Sequence, residues 1–185
     1  MGRVAEFWRA QNGLRHITPQ GKANPEGAWL GQYLSDVARH GRVLEFGCGP
    51  GRIACGFDPE SYIGVDINPR AIEYARERNP AHRFEVVGDE IPDADVCLFH
   101  TVLMHVPDED LGPLLARVRA PVVYVSEMLG RHWRREGDPP VFNRELEEYE
   151  DAFGAIGYGL INVKRRIYEH YGEPMGLMTF IQSGD

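Results

Sequence analysis

At 185 residues, with 43% hydrophobic and 26% charged side chains, the chain has the size and composition of one globular domain with a real core, which excludes a disordered polypeptide. Acidic residues outnumber basic ones by 28 to 20, and the net charge of −8 argues against a broad nucleic-acid footprint and against adsorption to an anionic membrane. No apolar run approaches the roughly 20 residues of a membrane span, and Met1 to Arg9 hold no secretory apolar core. Cys48, Cys55 and Cys97 lack metal-ligand spacing, so no metal site is expected and a reducing cytoplasm suits the chain.

Residues 1–26 carry Gly13, Pro19, Gly21 and Pro25 without sustained periodicity and read as an N-terminal arm or lid, with one short helix around Phe7 and Trp8. The domain proper is expected over 27–185. Trp29, Tyr33, Leu34, Val37 and Ala38 recur at helical spacing within 25–40, and Gly41 closes that helix. From there the chain alternates. Residues 42–46 form a strand ending in a glycine cluster, and 52–57 leave room only for a short helix. Residues 61–65 form a second strand ending at Asp66. Asn68 caps a helix with Pro69 at its first position and Ile72 and Ala75 facing inward. Residues 83–87 and 95–99 are strands, 107–119 a helix burying Leu111, Leu114, Leu115 and Val118, and 122–126 a fifth strand. This rhythm predicts βαβ units and a parallel sheet.

The last part breaks the rhythm. Residues 144–156 read as a helix with Leu146, Tyr149 and Phe153 on one face, stopped by Gly157. Two strand runs follow, 160–168 and 177–182, with no helix between them, so they pair as a hairpin and one strand runs antiparallel. The expected fold is α/β: a doubly wound, mostly parallel seven-stranded sheet with an antiparallel C-terminal hairpin and helices on both faces.

The segment Val43-Leu44-Glu45-Phe46-Gly47-Cys48-Gly49-Pro50-Gly51 runs a strand into three alternating glycines, where the backbone can turn beside a ligand. A dinucleotide fingerprint needs a small residue where Arg52 stands, which disfavours a nicotinamide-dependent oxidoreductase. Asp66 puts a carboxylate at the tip of the second strand, suited to accept two ribose hydroxyls. The third strand leads into Val87-Gly88-Asp89-Glu90, and the fourth into His100-Thr101-Val102-Leu103-Met104-His105-Val106-Pro107-Asp108.

In this order and on these strand ends, the segments resemble the class I (Rossmann-like) S-adenosylmethionine-dependent methyltransferases, small-molecule branch, over about residues 27–183. The resemblance implies that Glu45 orients the glycine loop and the methionine amino group, while Gly47, the Cys48 backbone, Gly49 and Gly51 admit the cofactor, S-adenosylmethionine. It places Asp66 on the ribose, Ile67 against the adenine, Asp89 and Glu90 at the adenine amine, and His100 beside the methionine moiety. The sequence departs from the family in two respects. The stretch from Gly51 to the second strand is about one helical turn short. No Asn/Asp-Pro-Pro-Tyr/Phe follows the fourth strand, which argues against the exocyclic and side-chain amide nitrogens of DNA and proteins as acceptors.

The implied function is methyl transfer to an oxygen, nitrogen or carbon of a small molecule, releasing S-adenosylhomocysteine. Methyl transfer from a sulfonium needs alignment and, for some acceptors, a base. His105 is the base expected, weighed evenly against a packing role beneath the helix near Pro107; His132 is a weaker candidate. Arg131, His132, Trp133, Arg134 and Arg135 form a basic stretch that either meets an acidic substrate or, by preference, is a solvated face. Phe7, Trp8, Arg15 and His16 either form a lid or pack on the sheet. Cys48 carries no mark of a nucleophile, and Glu145, Glu147, Glu148, Glu150 and Asp151 read as the solvent side of a helix. Only the arm, residues 128–143 and the turn near Gly172 can shape the acceptor pocket, so either the substrate is compact or a partner chain or second copy completes it. Two alternatives stand beside this reading: a methyltransferase acting on RNA or another macromolecule, and a non-catalytic cofactor-binding relative acting as a partner subunit.

Overall fold

The central strands are continuous apolar runs because both faces of the sheet are covered. The computed structural model describes residues 2–10, 29–34, 41–88, 90–137, 140–168 and 173–184. In it every residue of β1 (Val43–Phe46), β2 (Tyr62–Asp66) and β4 (Val96–His100) is buried. With β3 (Arg83–Val86), β5 (Val122–Met128), β6 (Tyr158–Tyr168) and β7 (Glu173–Gln182) they make one seven-stranded sheet in the order β3-β2-β1-β4-β5-β7-β6. Only β7 runs antiparallel, to β5 on one side and β6 on the other. The winding reverses between β1 and β4, so the crevice at their carboxyl ends is the place where such sheets bind ligands.

Strand alternation sends Leu44, Phe46, Phe99, Val123 and Val125 to one face, under α3 (Asp108–Leu115) and α4 (Leu146–Gly154), which add Leu111, Leu115, Tyr149 and Phe153. Val43, Tyr62, Leu98, Tyr124 and Leu177 face the other way, against α2 (Pro69–Arg78) and helical residues 29–34. Leu30 and Leu34 are fully buried there. Trp29 stacks on Tyr33 at 5.3 Å, and Lys164 Nζ of β6 lies 4.6 Å above the Tyr33 ring, tying this helix to the far edge of the sheet.

The short link after the glycine loop holds only a 3-10 turn, Ala54–Gly56. The reason is on its surface: a Cβ at Gly31 would stand 1.7 Å from the carbonyl oxygen of Gly56. The 29–34 helix packs glycine to glycine on that turn and takes the room a longer helix would need. The helix expected over 107–119 ends earlier, at Leu115, where the amides of Arg117 and Val118 turn to the carbonyls three residues back, those of Leu114 and Leu115. Leu111, Leu115 and Val118 are buried as expected, whereas Leu114 is only partly so. The last helix likewise spans Leu146–Gly154, with Arg144 outside it.

Asn68 caps α2 as its position predicts, its Oδ1 accepting the amides of Arg70 and Ala71. Its Nδ2 donates to the carbonyls of Trp8 at 2.9 Å and Ala10 at 3.2 Å, and so holds α1 (Arg3–Arg9), the short helix expected around Phe7 and Trp8, at the carboxyl end of β2. Among the described residues no helix is long and apolar enough to cross a membrane.

Candidate active site

Leaving β1, the backbone turns left-handed at Gly47 (φ 74°), Gly49 (φ 52°) and Gly51 (φ 69°), a conformation side chains rarely adopt. At Gly47 space is also closed: a Cβ would lie 2.4 Å from Cγ2 of Val102, in the turn after β4. The loop is fixed by Asp66. One carboxylate oxygen accepts the Gly49 amide at 2.9 Å and the other the Asn68 amide at 2.8 Å. Burial raises the Asp66 carboxyl above its ordinary range, and the amides of Asn68, Gly49 and Ile67 oppose that rise.

Asp66 thus anchors the loop through the Gly49 amide. Glu45 is buried on the face it shares with Tyr62, and its carboxylate accepts the Tyr62 hydroxyl. Burial pushes it up to about 7. Cys48 is buried, and its burial together with the nearby Glu45 and Asp66 raises the thiol well above its ordinary value, which keeps it protonated. Ile67 is half-buried beside Asp66 and Glu90 is exposed; Asp89 lies outside the described residues.

At the tip of β4, His100 is buried, and neither imidazole nitrogen has a hydrogen-bond partner among the described residues. Burial, seconded by Arg52, holds the ring neutral. Arg52 donates to Thr101 Oγ1 at 2.6 Å, linking the glycine loop to the β4 turn at the one described non-glycine residue with positive φ, 54°. The turn continues through a 3-10 segment, Leu103–His105. Glu127 of β5, fully buried and pushed by burial up to about 7, accepts the amides of Val102 and Leu103 at 2.7 Å each. Arg144, 2% exposed, donates to the carbonyls of Leu103 and Val106. Neither residue stood out in the sequence. Glu127 sits in an apolar strand and Arg144 at the expected start of a helix, and no local spacing marks them as a pair.

His105 is half-buried, with its ring centroid 4.5 Å from that of Trp8, so the arm helix and the β4 turn meet directly. Arg15 and His16 lie outside the described residues. His132 is exposed. Within the basic stretch, Arg131 binds Glu148 at 2.7 and 2.6 Å, and Arg134 binds Asp108 at 2.7 and 2.9 Å. Glu148 is thus partly buried and paired, not simply solvated; it also forms a capping box with Glu145 at the start of α4. Gly47, Gly49, Gly51, Arg52, Asp66, His100 and His105 converge at the carboxyl ends of β1, β2 and β4. His132 and Glu90 are both exposed.

Residues 43–122 match the model of a methyltransferase domain family. Among curated proteins, the ribosomal protein L11 methyltransferase of Burkholderia cenocepacia (strain HI2424) is 32% identical over 94 residues, 46% of this chain and 31% of that protein. The protein of the same name from Paraburkholderia xenovorans (strain LB400) is 44% identical over 69 residues, 34% of this chain and 22% of that protein. The chain spans about a third of the length of these relatives. Solved structures share the fold over nearly the whole chain. The 1,6-didemethyltoxoflavin-N1-methyltransferase of Burkholderia thailandensis, with bound 1,6-didemethyltoxoflavin and S-adenosylhomocysteine, has a TM-score of 0.72 at 18% identity, covering 98% of this chain and 87% of that one. The magnesium protoporphyrin IX methyltransferase of Synechocystis PCC 6803, with bound S-adenosylmethionine, has a TM-score of 0.66 at 15% identity, covering 97% and 95%.

Proposed function

We propose that this chain, a class I methyltransferase by its domain match and its fold, moves a methyl group from S-adenosylmethionine to an oxygen, nitrogen or carbon of a small molecule, releasing S-adenosylhomocysteine. The observation that carries the proposal is the polar set at the switch point between β1 and β4. Asp66 accepts the Gly49 amide of the loop on one oxygen and the Asn68 amide on the other, and keeps acceptor capacity for ribose hydroxyls. His100 holds two buried nitrogens with no hydrogen-bond partner among the described residues, a cost in an apolar core that a polar ligand group removes. These residues fit the cofactor. The glycine loop, with Cys48 contributing its backbone, lies between them, and Ile67 and Glu90 border the adenine end.

When bound, the sulfonium supplies an activated methyl group, so the protein's task is alignment. Asp66 and the loop hold the donor side. His105 takes the proton from acceptors that must lose one, and Trp8, packed on its ring, limits water there. The described part of the arm, α1 over Arg3–Arg9, acts as the lid. A structural neighbour that carries a small-molecule substrate, the 1,6-didemethyltoxoflavin-N1-methyltransferase, and the missing Asn/Asp-Pro-Pro-Tyr/Phe after β4 favour a small acceptor. The second reading, a macromolecular acceptor, is favoured by the ribosomal protein L11 methyltransferases among the relatives; against it, Arg131 and Arg134 are already bound to acidic neighbours.

Calorimetric titration with S-adenosylmethionine and S-adenosylhomocysteine, alongside Asp66→Ala, tests the donor half. Binding in the micromolar range that weakens at least about tenfold in the variant is expected. An intact chain that binds neither ligand overturns the reading. Methyl label incorporated into the low-molecular-mass fraction of a cell extract supports a small acceptor; label found only in protein or RNA selects the second reading.

A further inference from the structure

The turn after β4 is held from both ends by buried polar side chains, Glu127 and Arg144. Glu127 Oε1 receives the amides of Val102 and Leu103, and the amide of Met104 also faces this carboxylate. From the opposite end Arg144 donates Nη1 to the Leu103 carbonyl at 2.8 Å and Nη2 to the Val106 carbonyl at 2.7 Å and to Asp108 Oδ1 at 2.7 Å. The Met104 carbonyl receives the Phe142 amide at 2.7 Å. A single 3-10 turn cannot pair its own terminal amides and carbonyls. Here a carboxyl group meets its amide end and a guanidinium its carbonyl end, the polarity that matches the dipole of the turn.

Burying a carboxyl group and a guanidinium is an inefficient way to stabilise a fold, since well-packed apolar residues do as well or better. The arrangement does define where the turn stands. The turn carries Val102, on which the glycine loop is seated with no room for a Cβ at Gly47, and His105, on which Trp8 of the arm is packed. Both sides of the candidate active site therefore take their position from one short stretch of backbone.

We propose that Glu127 and Arg144 are positioning residues: by clamping the backbone between Val102 and Val106 they set His105 against the arm and the glycine loop, and so govern the transfer step. The inference rests on the methyltransferase reading for its consequence in catalysis, and on geometry alone for the clamp.

The test uses the whole chain with Glu127→Gln, Glu127→Ala, Arg144→Lys and Arg144→Met. Glu127→Gln keeps an oxygen for the two amides; Arg144→Lys keeps the charge but cannot span three acceptors. The first measurement needs no substrate: nuclear magnetic resonance of the Val102 and Leu103 amide protons, the His105 ring proton and the Trp8 indole proton. Glu127→Ala and both Arg144 variants are expected to move all of them, and Glu127→Gln chiefly the two amides. With an acceptor in hand, Glu127→Ala and Arg144→Lys lower kcat at least about tenfold while the KM for S-adenosylmethionine stays within about twofold, and Glu127→Gln recovers most of the rate. Variants that lose thermal stability but leave the His105 and Trp8 resonances and kcat unchanged overturn the proposal and leave a merely structural pair. Because the resonances are read without cofactor, failure of the wild-type chain to bind S-adenosylmethionine refutes the function and not the clamp.

Discussion

The two sides of the candidate site are built by different means. On the β1–β2 side the chain makes the site out of its own neighbourhood: three left-handed glycines, a carboxylate that reaches back 17 residues to Gly49, and an asparagine that caps the next helix. On the β4 side the turn depends on groups 24 and 41 residues away, brought in by β5 and by the segment before α4. The loop is specified by local conformational rules, whereas the turn exists only once the far half of the sheet is assembled. A site of this kind should lose its two sides separately.

The largest effect should come from the remote side. Arg144→Met abandons two buried carbonyls and removes the cation nearest Glu127, and a loss of about 3–5 kcal/mol in urea unfolding is expected. A loss under about 1 kcal/mol would mean that the turn holds itself and that the contrast is wrong. On the local side, Gly47→Ala combines a strained φ with the 2.4 Å approach to Val102. About 2–4 kcal/mol should be lost, along with cofactor binding. If only stability fell, the loop would be structural alone.

The pH dependence sharpens the comparison. The folded chain holds a proton on Glu127 up to about 7, whereas its ordinary value is 4.5. The stability this gives is fully present below about 4.5 and is lost as pH rises toward 7, with a slope of up to about 1.4 kcal/mol per pH unit. Glu45 has the same sign. Comparing wild type with Glu127→Gln from pH 5 to 8 isolates the group: the difference should move in favour of the variant as pH rises. A constant difference would show that Glu127 does not titrate in this window. The smallest effect belongs to Arg131→Ala, which breaks an exposed pair with Glu148 and should leave the unfolding midpoint unchanged within error.

What could be read from the sequence follows the same division. The glycine loop, the strand ending at Asp66, the Asn68 cap and the alternation of strands all rest on residues adjacent in the chain, and each is found where it was expected. The clamp was invisible, because a glutamate in an apolar strand and an arginine before a helix acquire meaning only through partners in space. That Asp66 accepts the Gly49 amide and that Tyr62 donates to Glu45 was hidden for a related reason: each contact joins residues 17 positions apart on neighbouring strands.

The place of β7 bears on how the molecule is made. This strand, the last of the sheet to leave the ribosome, is inserted between β5 and β6. Until it arrives, β5 presents an open edge of Val122, Val123 and Val125, and β6 has emerged with nothing to pair with. A nascent chain shorter than Glu173 therefore displays an apolar, unprotected strand edge of the kind that templates aggregation. Synthesis and closure run in different orders, and the final hairpin is the bolt that ends the interval of risk.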